Sequence, residues 1–126
     1  MPTDIKVIHA RDFIKATPEG HFDFKKSKQV LIEIASVSAS CDNCEIILDT
    51  RKAEIKVSVT DLWHLAAELS NYRKEFSQNI AVLCPLEGFD NAEFFSLCAQ
   101  NRGFKVSAFT SFDDAIEWLM QTGSGA

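Results

Sequence analysis

The sequence predicts an α/β fold: a four- to five-stranded, mostly parallel sheet with one antiparallel edge strand, and four helices. After the first quarter of the chain, short apolar runs alternate with segments whose apolar residues recur at helical spacing. Strands that are separated by helices run parallel and are joined by right-handed crossovers. Ile46–Leu48 and Ile80–Leu83 are apolar throughout, which is typical of strands buried on both faces and places them at the centre of the sheet.

Two short extended segments come first, Ile5–Ile8 and Phe13–Ala16. Both are rich in Ile, Val or Phe, and Ala10-Arg11 lies between them, so they are predicted to be strands with no helix in between. Thr17-Pro18-Glu19-Gly20 is then predicted to be a turn, because proline presets φ and glycine tolerates positive φ.

Four helices follow, each with an apolar stripe on one side. The first has Asp23 as its N-cap, and the last opens at Ser111, which resembles a capping box with Asp114. Gly103 is placed to end the third helix in the left-handed conformation. The predicted helices are Phe24–Ser38, a helix that starts near Ser58–Asp61 and buries Leu62, Leu65, Ala66, Leu69 and Phe76, then Asn91–Asn101 and Ser111–Met120; the strands are Glu45–Asp49, Ile80–Cys84 and Phe104–Phe109.

The composition is that of one globular domain. The chain has 126 residues, of which 46% are apolar and 25% charged, and no repeat or linker divides it. We expect a single domain over residues 1–120 and a flexible C-terminal tail over residues 121–126. Thirteen basic and eighteen acidic side chains give a net charge of −5, which argues against a nucleic-acid binder and against a polybasic membrane-surface patch.

The cellular location and the state of the cysteines are predicted together. The chain starts without a basic region and apolar stretch, and its apolar runs are too short to cross a membrane, so a cytoplasmic protein is expected. The four cysteines are then expected to be reduced thiols. Cys41 and Cys44 have the spacing of a redox or metal motif, but they follow a helix, and zinc would need two further ligands. We therefore expect a structural loop, with no metal and no cofactor.

Three stretches resemble, in order, the STAS domain family of sulfate transporters and anti-sigma-factor antagonists. Phe13–Asp23 is similar to the family's strand, Gly-x-Leu-Asp turn and helix opening, and Ile46–Arg51 with the Ser58–Asp61 helix start is similar to its central strand and regulatory loop. Ala108–Leu119 resembles the closing strand and helix of the SpoIIAA-like branch. The resemblance covers nearly the whole chain and implies one small STAS/SpoIIAA-like domain with a binding or switching role rather than catalysis.

The resemblance also points to candidate modification sites. Anti-sigma-factor antagonists carry an Asp-Ser phosphorylation site at the start of the second helix, and the matching stretch here has Val57 in place of the aspartate before Ser58. Ser58 and Thr60 are the candidate phosphoacceptors, since a phosphate would add about −1.5 to −2 charges at a helix start. The alternative is that one hydroxyl only caps the helix, which contributes about 1 kcal/mol.

Candidate binding residues lie in two parts of the predicted fold. Open α/β sheets bind ligands beyond the carboxyl ends of their strands, although such residues also simply finish strands and cap helices. Trp63 lies off the apolar stripe of its helix, where it marks a partner surface, a shallow membrane contact or an ordinary half-buried tryptophan. The candidate binding surface comprises Asp49, Thr50, Arg51, Lys56, Ser58, Trp63 and Thr110.

The predicted function is that of a non-catalytic regulatory or protein-binding module with an unidentified protein partner; a homodimer is a further option. An enzyme is the weakest interpretation, because the sequence has no paired carboxylates, no nucleophile with a base and no cofactor fingerprint at a spacing that requires one. The alternative is a carrier or sensor of a small apolar or amphipathic ligand, held between the second and third helices, with peripheral membrane contact.

Overall fold

The computed structural model describes residues 4–10, 13–41 and 44–123 of the chain. Two 3₁₀ turns, Leu69–Tyr72 and Leu86–Gly88, interrupt the alternation of strands and helices that the sequence predicts. The elements are β1 (Asp4–Ala10), β2 (Phe13–Phe22), α1 (Phe24–Ser38), β3 (Glu45–Asp49), β4 (Ala53–Ile55), α2 (Val59–Glu68), β5 (Ile80–Leu83), α3 (Phe89–Gln100), β6 (Val106–Phe109) and α4 (Phe112–Gly123).

The strands form a sheet of order β1-β2-β3-β5-β6, and the short β4 pairs with β2. The pairs β2–β3, β3–β5 and β5–β6 are parallel, whereas β1 runs antiparallel to β2. The two apolar strands predicted at the centre lie side by side, with Ile46 opposite Ile80 and Leu48 opposite Val82. The predicted α/β architecture with four helices is confirmed, and β4 is a short strand that the sequence analysis did not predict.

The turn predicted over residues 17–20 is wrong. β2 continues through these residues and pairs with β1 as far as Glu19, with Pro18 opposite Ile5. On its other side, β2 pairs with β3 as far as Ala16 and with β4 from Gly20 onward. Pro18 lies in the gap between these two partners, where a strand tolerates a residue without an N–H. Gly20 has a φ of +107°, which a glycine adopts freely at the point where the second pairing begins.

Side chains alternate between the two faces of the sheet, and helices cover both. Ile46 and Val82 point to the larger core, which they form with buried residues of α1, α2 and α3. Ile47 and Ala81 point to the opposite face, where they form a smaller core with Leu119 and Ala115 of α4. The central strands are therefore buried on both faces, as their unbroken apolar sequence predicts.

Two of the helices, α2 and α4, end three or more residues away from their predicted ends. α2 ends at Glu68, so Phe76 lies beyond the helix, yet it is buried because the 3₁₀ turn and the turn after it bring its ring back into the larger core. α4 extends to Gly123, three residues past its predicted end, and the rest of the predicted tail lies outside the described residues. Gly103 has a φ of +94° after α3, as predicted.

The backbone bonds at Gly103 explain why the third helix stops there. The Gly103 N–H donates to the Gln100 carbonyl at 2.9 Å, and the Phe104 N–H donates to the Ala99 carbonyl at 3.1 Å. This pair of bonds is the Schellman arrangement, which uses a left-handed residue to satisfy the last carbonyls of a helix. The left-handed Gly103 also redirects the chain toward β6, which begins three residues later.

Glu45 is a buried carboxylate at the amino end of β3. Its Oε2 accepts a hydrogen bond of 2.9 Å from the Asn79 N–H, and the Asn79 amide reaches Oε1 at 3.4 Å. Burial raises the pKa of Glu45, and the bonds from Asn79 and the charge of Lys105 offset that rise only in part. The folded-state pKa of Glu45 lies above its unfolded-state pKa. Ionisation of Glu45 therefore lowers the free energy of unfolding as the pH rises from the unfolded-state pKa through the folded-state pKa.

The substitution Glu45→Gln is therefore expected to stabilise the protein at pH 7 and to leave it unchanged at pH 3, where the wild-type carboxyl is protonated. The glutamine oxygen keeps the bond from the Asn79 N–H, and the side chain carries no charge to bury. The glutamine NH2 group cannot accept from the Asn79 amide, and the loss of that 3.4 Å bond is expected to be the smaller effect. Denaturant unfolding at both pH values measures the difference. The control is Glu117→Gln, which removes a charge from the exposed side of α4. A Glu45→Gln protein that is less stable than wild type at pH 7 would contradict the assignment.

Candidate functional site

The start of α2 is closed by a reciprocal cap. The Ser58 hydroxyl oxygen accepts a hydrogen bond of 3.0 Å from the Asp61 N–H, and the Asp61 carboxylate accepts one of 3.2 Å from the Ser58 N–H. Ser58 is thus the N-cap, with a β-region backbone, and the predicted capping role is confirmed. Ser58 and Thr60 are both exposed. Either hydroxyl is therefore open to modification, and their role as phosphoacceptors stays a prediction.

Arg51 forms a tight pair with Asp49 at the carboxyl end of β3. The guanidinium donates from Nε to Oδ1 at 3.0 Å and from Nη2 to Oδ2 at 2.9 Å, and the Arg51 N–H donates to Oδ1 at 3.1 Å. Burial opposes ionisation of Asp49, but the bonds from Arg51 outweigh it and lower the pKa of that carboxyl. The pairing in turn raises the pKa of Arg51. The cation of Arg51 is already matched by an anion of the protein.

Of the remaining residues of the predicted surface, one is buried and two are exposed to solvent. Thr50 is buried, and both its N–H and its hydroxyl donate to the Leu83 carbonyl, at 2.7 and 3.0 Å, so it holds the ends of β3 and β5 together. Lys56 and Thr110 are exposed, and Lys56 Nζ lies 3.7 Å from a Glu54 carboxylate oxygen. Asp49 and Thr50 are thus fixed structural groups, and the accessible members of the set are Arg51, Lys56, Ser58, Trp63 and Thr110.

Trp63 projects from the outer side of α2 with 47% of its surface exposed. The Arg102 guanidinium carbon lies 4.7 Å from the centre of its ring, in cation–π geometry, and the His64 ring meets it edge-on at 5.1 Å. Val59, one helical turn earlier on the same side, is 60% exposed. We call Val59, Trp63 and Arg102 the α2 surface. Neither Arg102 nor the 3D neighbourhood of Trp63 was anticipated, because Arg102 lies 39 positions further along the chain.

A cavity of about 480 Å³ opens between α1, α2, α3 and the carboxyl ends of the strands. Its volume lies in the range of small-molecule sites, and most of its wall is apolar. Ser27 of α1 lines it, and the Ser27 hydroxyl oxygen is buried without a hydrogen-bond partner among the described residues. Thr50 and Arg51 line the cavity, so it lies beyond the carboxyl ends of the strands, where the sequence predicts a binding site. Residues of α2 and α3 also line it, and these are the two helices between which the alternative function places a ligand. Its apolar lining residues include Phe22, Val30, Leu31, Leu48, Leu62, Leu65, Val82 and Phe95.

The prediction of four reduced thiols is wrong for two of the cysteines. Cys41 and Cys44 form a disulfide, with Cα atoms 5.9 Å apart, a separation that suits such a bond. Cys41 follows the end of α1, and Cys44 directly precedes β3. Cys84 and Cys98 are free, and burial raises the pKa of the Cys84 thiol to about 11. Within the described ranges no group of three His, Cys, Asp or Glu side chains is arranged to hold a metal.

Comparison with known proteins supports the fold and gives no sequence relative. The chain matches no protein-family model and no curated protein. An anti-sigma factor antagonist from Mycobacterium paratuberculosis is 18% identical with a TM-score of 0.63, covering 94% of this chain and 95% of that one. An uncharacterized protein with a SpoIIAA-like fold from Shewanella loihica is 17% identical with a TM-score of 0.58, covering 93% of each chain.

A third solved structure is the anti-sigma factor antagonist SpoIIAA in its unphosphorylated form, 11% identical with a TM-score of 0.54, covering 93% of this chain and 98% of that one. Over residues 4–10, 13–41 and 44–123, no helix combines the length and apolar character needed to cross a bilayer. The strand order, the helices on both faces of the sheet and the three similar structures all indicate the same fold. The protein has the STAS/SpoIIAA-like fold, as the resemblance in its sequence implies.

Proposed function

We propose that the protein is a non-catalytic regulatory domain that binds a protein partner through the α2 surface. The observation that carries the proposal is the half-exposed Trp63, stacked beneath the Arg102 guanidinium. Tryptophan and arginine are the side chains most enriched where truncation costs the most binding energy in protein interfaces. Two of the solved structures with this fold are anti-sigma factor antagonists, which supports a regulatory role based on protein binding and not on catalysis.

The α2 surface has the composition of an interface centre. Val59 and Trp63 lie one turn apart, and Arg102 adds a cation that the ring already holds in place. Rigid aromatic side chains lose little conformational entropy on binding. Arg51, Lys56 and Thr110 are also accessible, and we place them at the periphery of the proposed interface.

Phosphorylation of Ser58 or Thr60 is proposed as the way this surface is regulated. Both residues are exposed at the start of α2 and flank Val59 in the sequence. A phosphate on Ser58 would place about 1.5 to 2 negative charges beside the Asp61 carboxylate, which would weaken the cap and change the charge next to the α2 surface. Mass spectrometry of protein purified from its own cells tests this, and permanent absence of phosphate from both residues removes the idea.

Trp63→Ala is expected to weaken binding of the captured partner by about 30-fold or more, since a central interface tryptophan is worth about 2 kcal/mol or more. The wild-type chain, immobilised through its C-terminus, first captures the partner from extract of its own cells, and titration with the purified partner then gives the affinities. Met120→Ala removes another large hydrophobic side chain, which lies on α4 and is more exposed, and is the matched control.

Unfolding curves of both variants are measured to establish that they remain folded. Equal affinity of the Trp63→Ala and Met120→Ala proteins would contradict the proposal, because the partner would then bind elsewhere.

A second candidate function, a carrier or sensor of a small apolar or amphipathic ligand, is favoured by one observation, the cavity among α1, α2 and α3. Native mass spectrometry of the purified protein tests it by looking for a bound small molecule. Flotation with phosphatidylcholine vesicles tests the peripheral membrane contact that accompanies this candidate.

A further inference from the structure

We propose that the α2 surface binds an acidic segment of its protein partner, whose aspartate or glutamate carboxylates pair with the guanidinium groups of Arg73 and Arg102. This inference rests on the proposed function and adds to it the chemistry of the partner. Two observations carry it. Each of these arginines is held over an aromatic ring, and neither forms an ion pair in the part of the chain that the structure describes.

Both arginine side chains are positioned by contacts within the protein. The Arg102 guanidinium lies over the Trp63 ring. The Arg73 guanidinium carbon lies 4.8 Å from the centre of the Phe104 ring, and Arg73 Nη1 donates to the Arg102 carbonyl at 3.1 Å. The Arg73 guanidinium therefore lies at the backbone of Arg102, next to the α2 surface. Because these contacts limit the movement of two long side chains, the side chains lose less conformational entropy when a partner binds.

The positive charges of Arg73 and Arg102 are not matched by a carboxylate of the described residues. Of the three arginines in residues 4–10, 13–41 and 44–123, Arg51 is paired with Asp49, and the other two form no ion pair. The whole chain has eighteen acidic and thirteen basic side chains, so the lack of a partner here does not reflect a shortage of carboxylates. A guanidinium binds a carboxylate through two parallel N–H···O bonds, and such bonds are among the strong ones in proteins.

The surroundings of the two arginines favour an acidic protein segment over a nucleic acid. Domains that bind nucleic acids usually present a broad basic face, whereas this chain has a net charge of −5. A long polyanion would therefore be repelled by the protein as a whole. The arginines also adjoin the exposed apolar side chains of Val59 and Trp63. A segment with carboxylates beside an apolar side chain matches both the cations and the apolar residues.

The test titrates the purified partner, captured by the wild-type chain, into variants that each lack one positive charge. In about 50 mM NaCl, Arg102→Gln is expected to weaken binding about 10-fold or more and Arg73→Gln about 3-fold or more. Lys52→Gln is the matched control, because it removes the same charge from an exposed side chain between β3 and β4. The control is expected to change the affinity less than about 2-fold. Unfolding curves are measured to establish that all three variants remain folded.

Salt and charge reversal separate charge pairing from packing against Trp63. Raising NaCl to about 500 mM is expected to weaken binding of the partner to the wild type about 5-fold or more, because salt screens pairs of exposed charges. Arg102→Glu is expected to weaken binding more than Arg102→Gln does, since it sets like charges against each other. The partner segment that crosslinks to a photoreactive amino acid at position 59 is expected to contain aspartate or glutamate. Replacing that acidic residue of the partner by arginine is expected to recover binding to Arg102→Glu about 5-fold or more.

The outcomes distinguish failure of this inference from failure of the proposed function. If both arginine variants bind the partner as Lys52→Gln does while Trp63→Ala binds it weakly, the acidic partner is wrong and the proposed function stands. The same conclusion follows if the affinity does not change with salt. If Trp63→Ala binds as Met120→Ala does, the proposed function fails as well. Binding of a single-stranded DNA of about 20 nucleotides that is lost in Arg102→Gln would overturn the choice of a protein segment.

Discussion

The substitution Phe76→Ala is expected to lower the free energy of unfolding by about 3–5 kcal/mol, the usual cost of deleting a buried phenylalanine ring. Phe76 is 1% exposed and belongs to the larger core, and its ring meets Tyr72 edge-on with centroids 6.2 Å apart. It lies in the turn that leads into β5, so the side chain also ties this turn to the helices. The loss combines apolar burial, an aromatic contact and a cavity that neighbours cannot fill.

Urea unfolding of the wild type, Phe76→Ala and the neighbouring exposed Ser77→Ala measures this effect. The control is expected to differ from wild type by less than about 0.5 kcal/mol, as is usual at the surface. A loss below about 1 kcal/mol for Phe76→Ala would show that the turn does not carry its ring into the core.

Leu119→Ala is the second large effect, with an expected loss of about 2–5 kcal/mol. Leu119 is 1% exposed and packs with Ile47 and Ala81, so it is a main contact by which α4 covers the second face of the sheet. The smaller core has few members, and each therefore carries a large share of the attachment of α4.

Met120→Ala, at the next position of the same helix, is the matched control because Met120 is 61% exposed. Thermal and urea unfolding compare the two variants. Equal stability of Leu119→Ala and Met120→Ala would mean that α4 does not pack on Ile47, and the two-sided burial of the central strands would then be wrong.

Much of the fold was predictable because its signals are local or come from one repeated pattern. The middle of β3, Ile46–Leu48, and all of β5 are apolar, which is typical of strands buried on both faces. The Ser58 cap and the Gly103 helix end have side-chain or backbone requirements that are visible in the sequence. The prediction of a turn over residues 17–20 was wrong because pairing with distant strands outweighs the local preferences of these residues. Proline and glycine have strong local preferences, but here the change of partner from β3 to β4 lets a strand accommodate both.

The candidate site was predicted less completely, because its contacts join distant parts of the chain. The Asp49–Arg51 pair is local, and its two-residue spacing was a signal that the sequence analysis did not use. Arg102 over Trp63 and Ser27 in the cavity wall depend on how α1, α2 and α3 pack together. The disulfide of Cys41 and Cys44 was missed because the prediction relied on an assumed cytoplasmic location, and that location stays a prediction.

Photo-crosslinking at position 59, beside an intact Trp63, tests the central claim that the α2 surface binds a protein partner. A photoreactive amino acid replaces Val59 in one variant and Met120 in another, because both side chains are exposed. Both variants are produced in the protein's own cells, and crosslinked species are identified by mass spectrometry. We expect one protein to be crosslinked from position 59 and to be absent from position 120; a second copy of this chain as that protein would establish a homodimer. Crosslinks from position 120 with none from position 59 would contradict the claim.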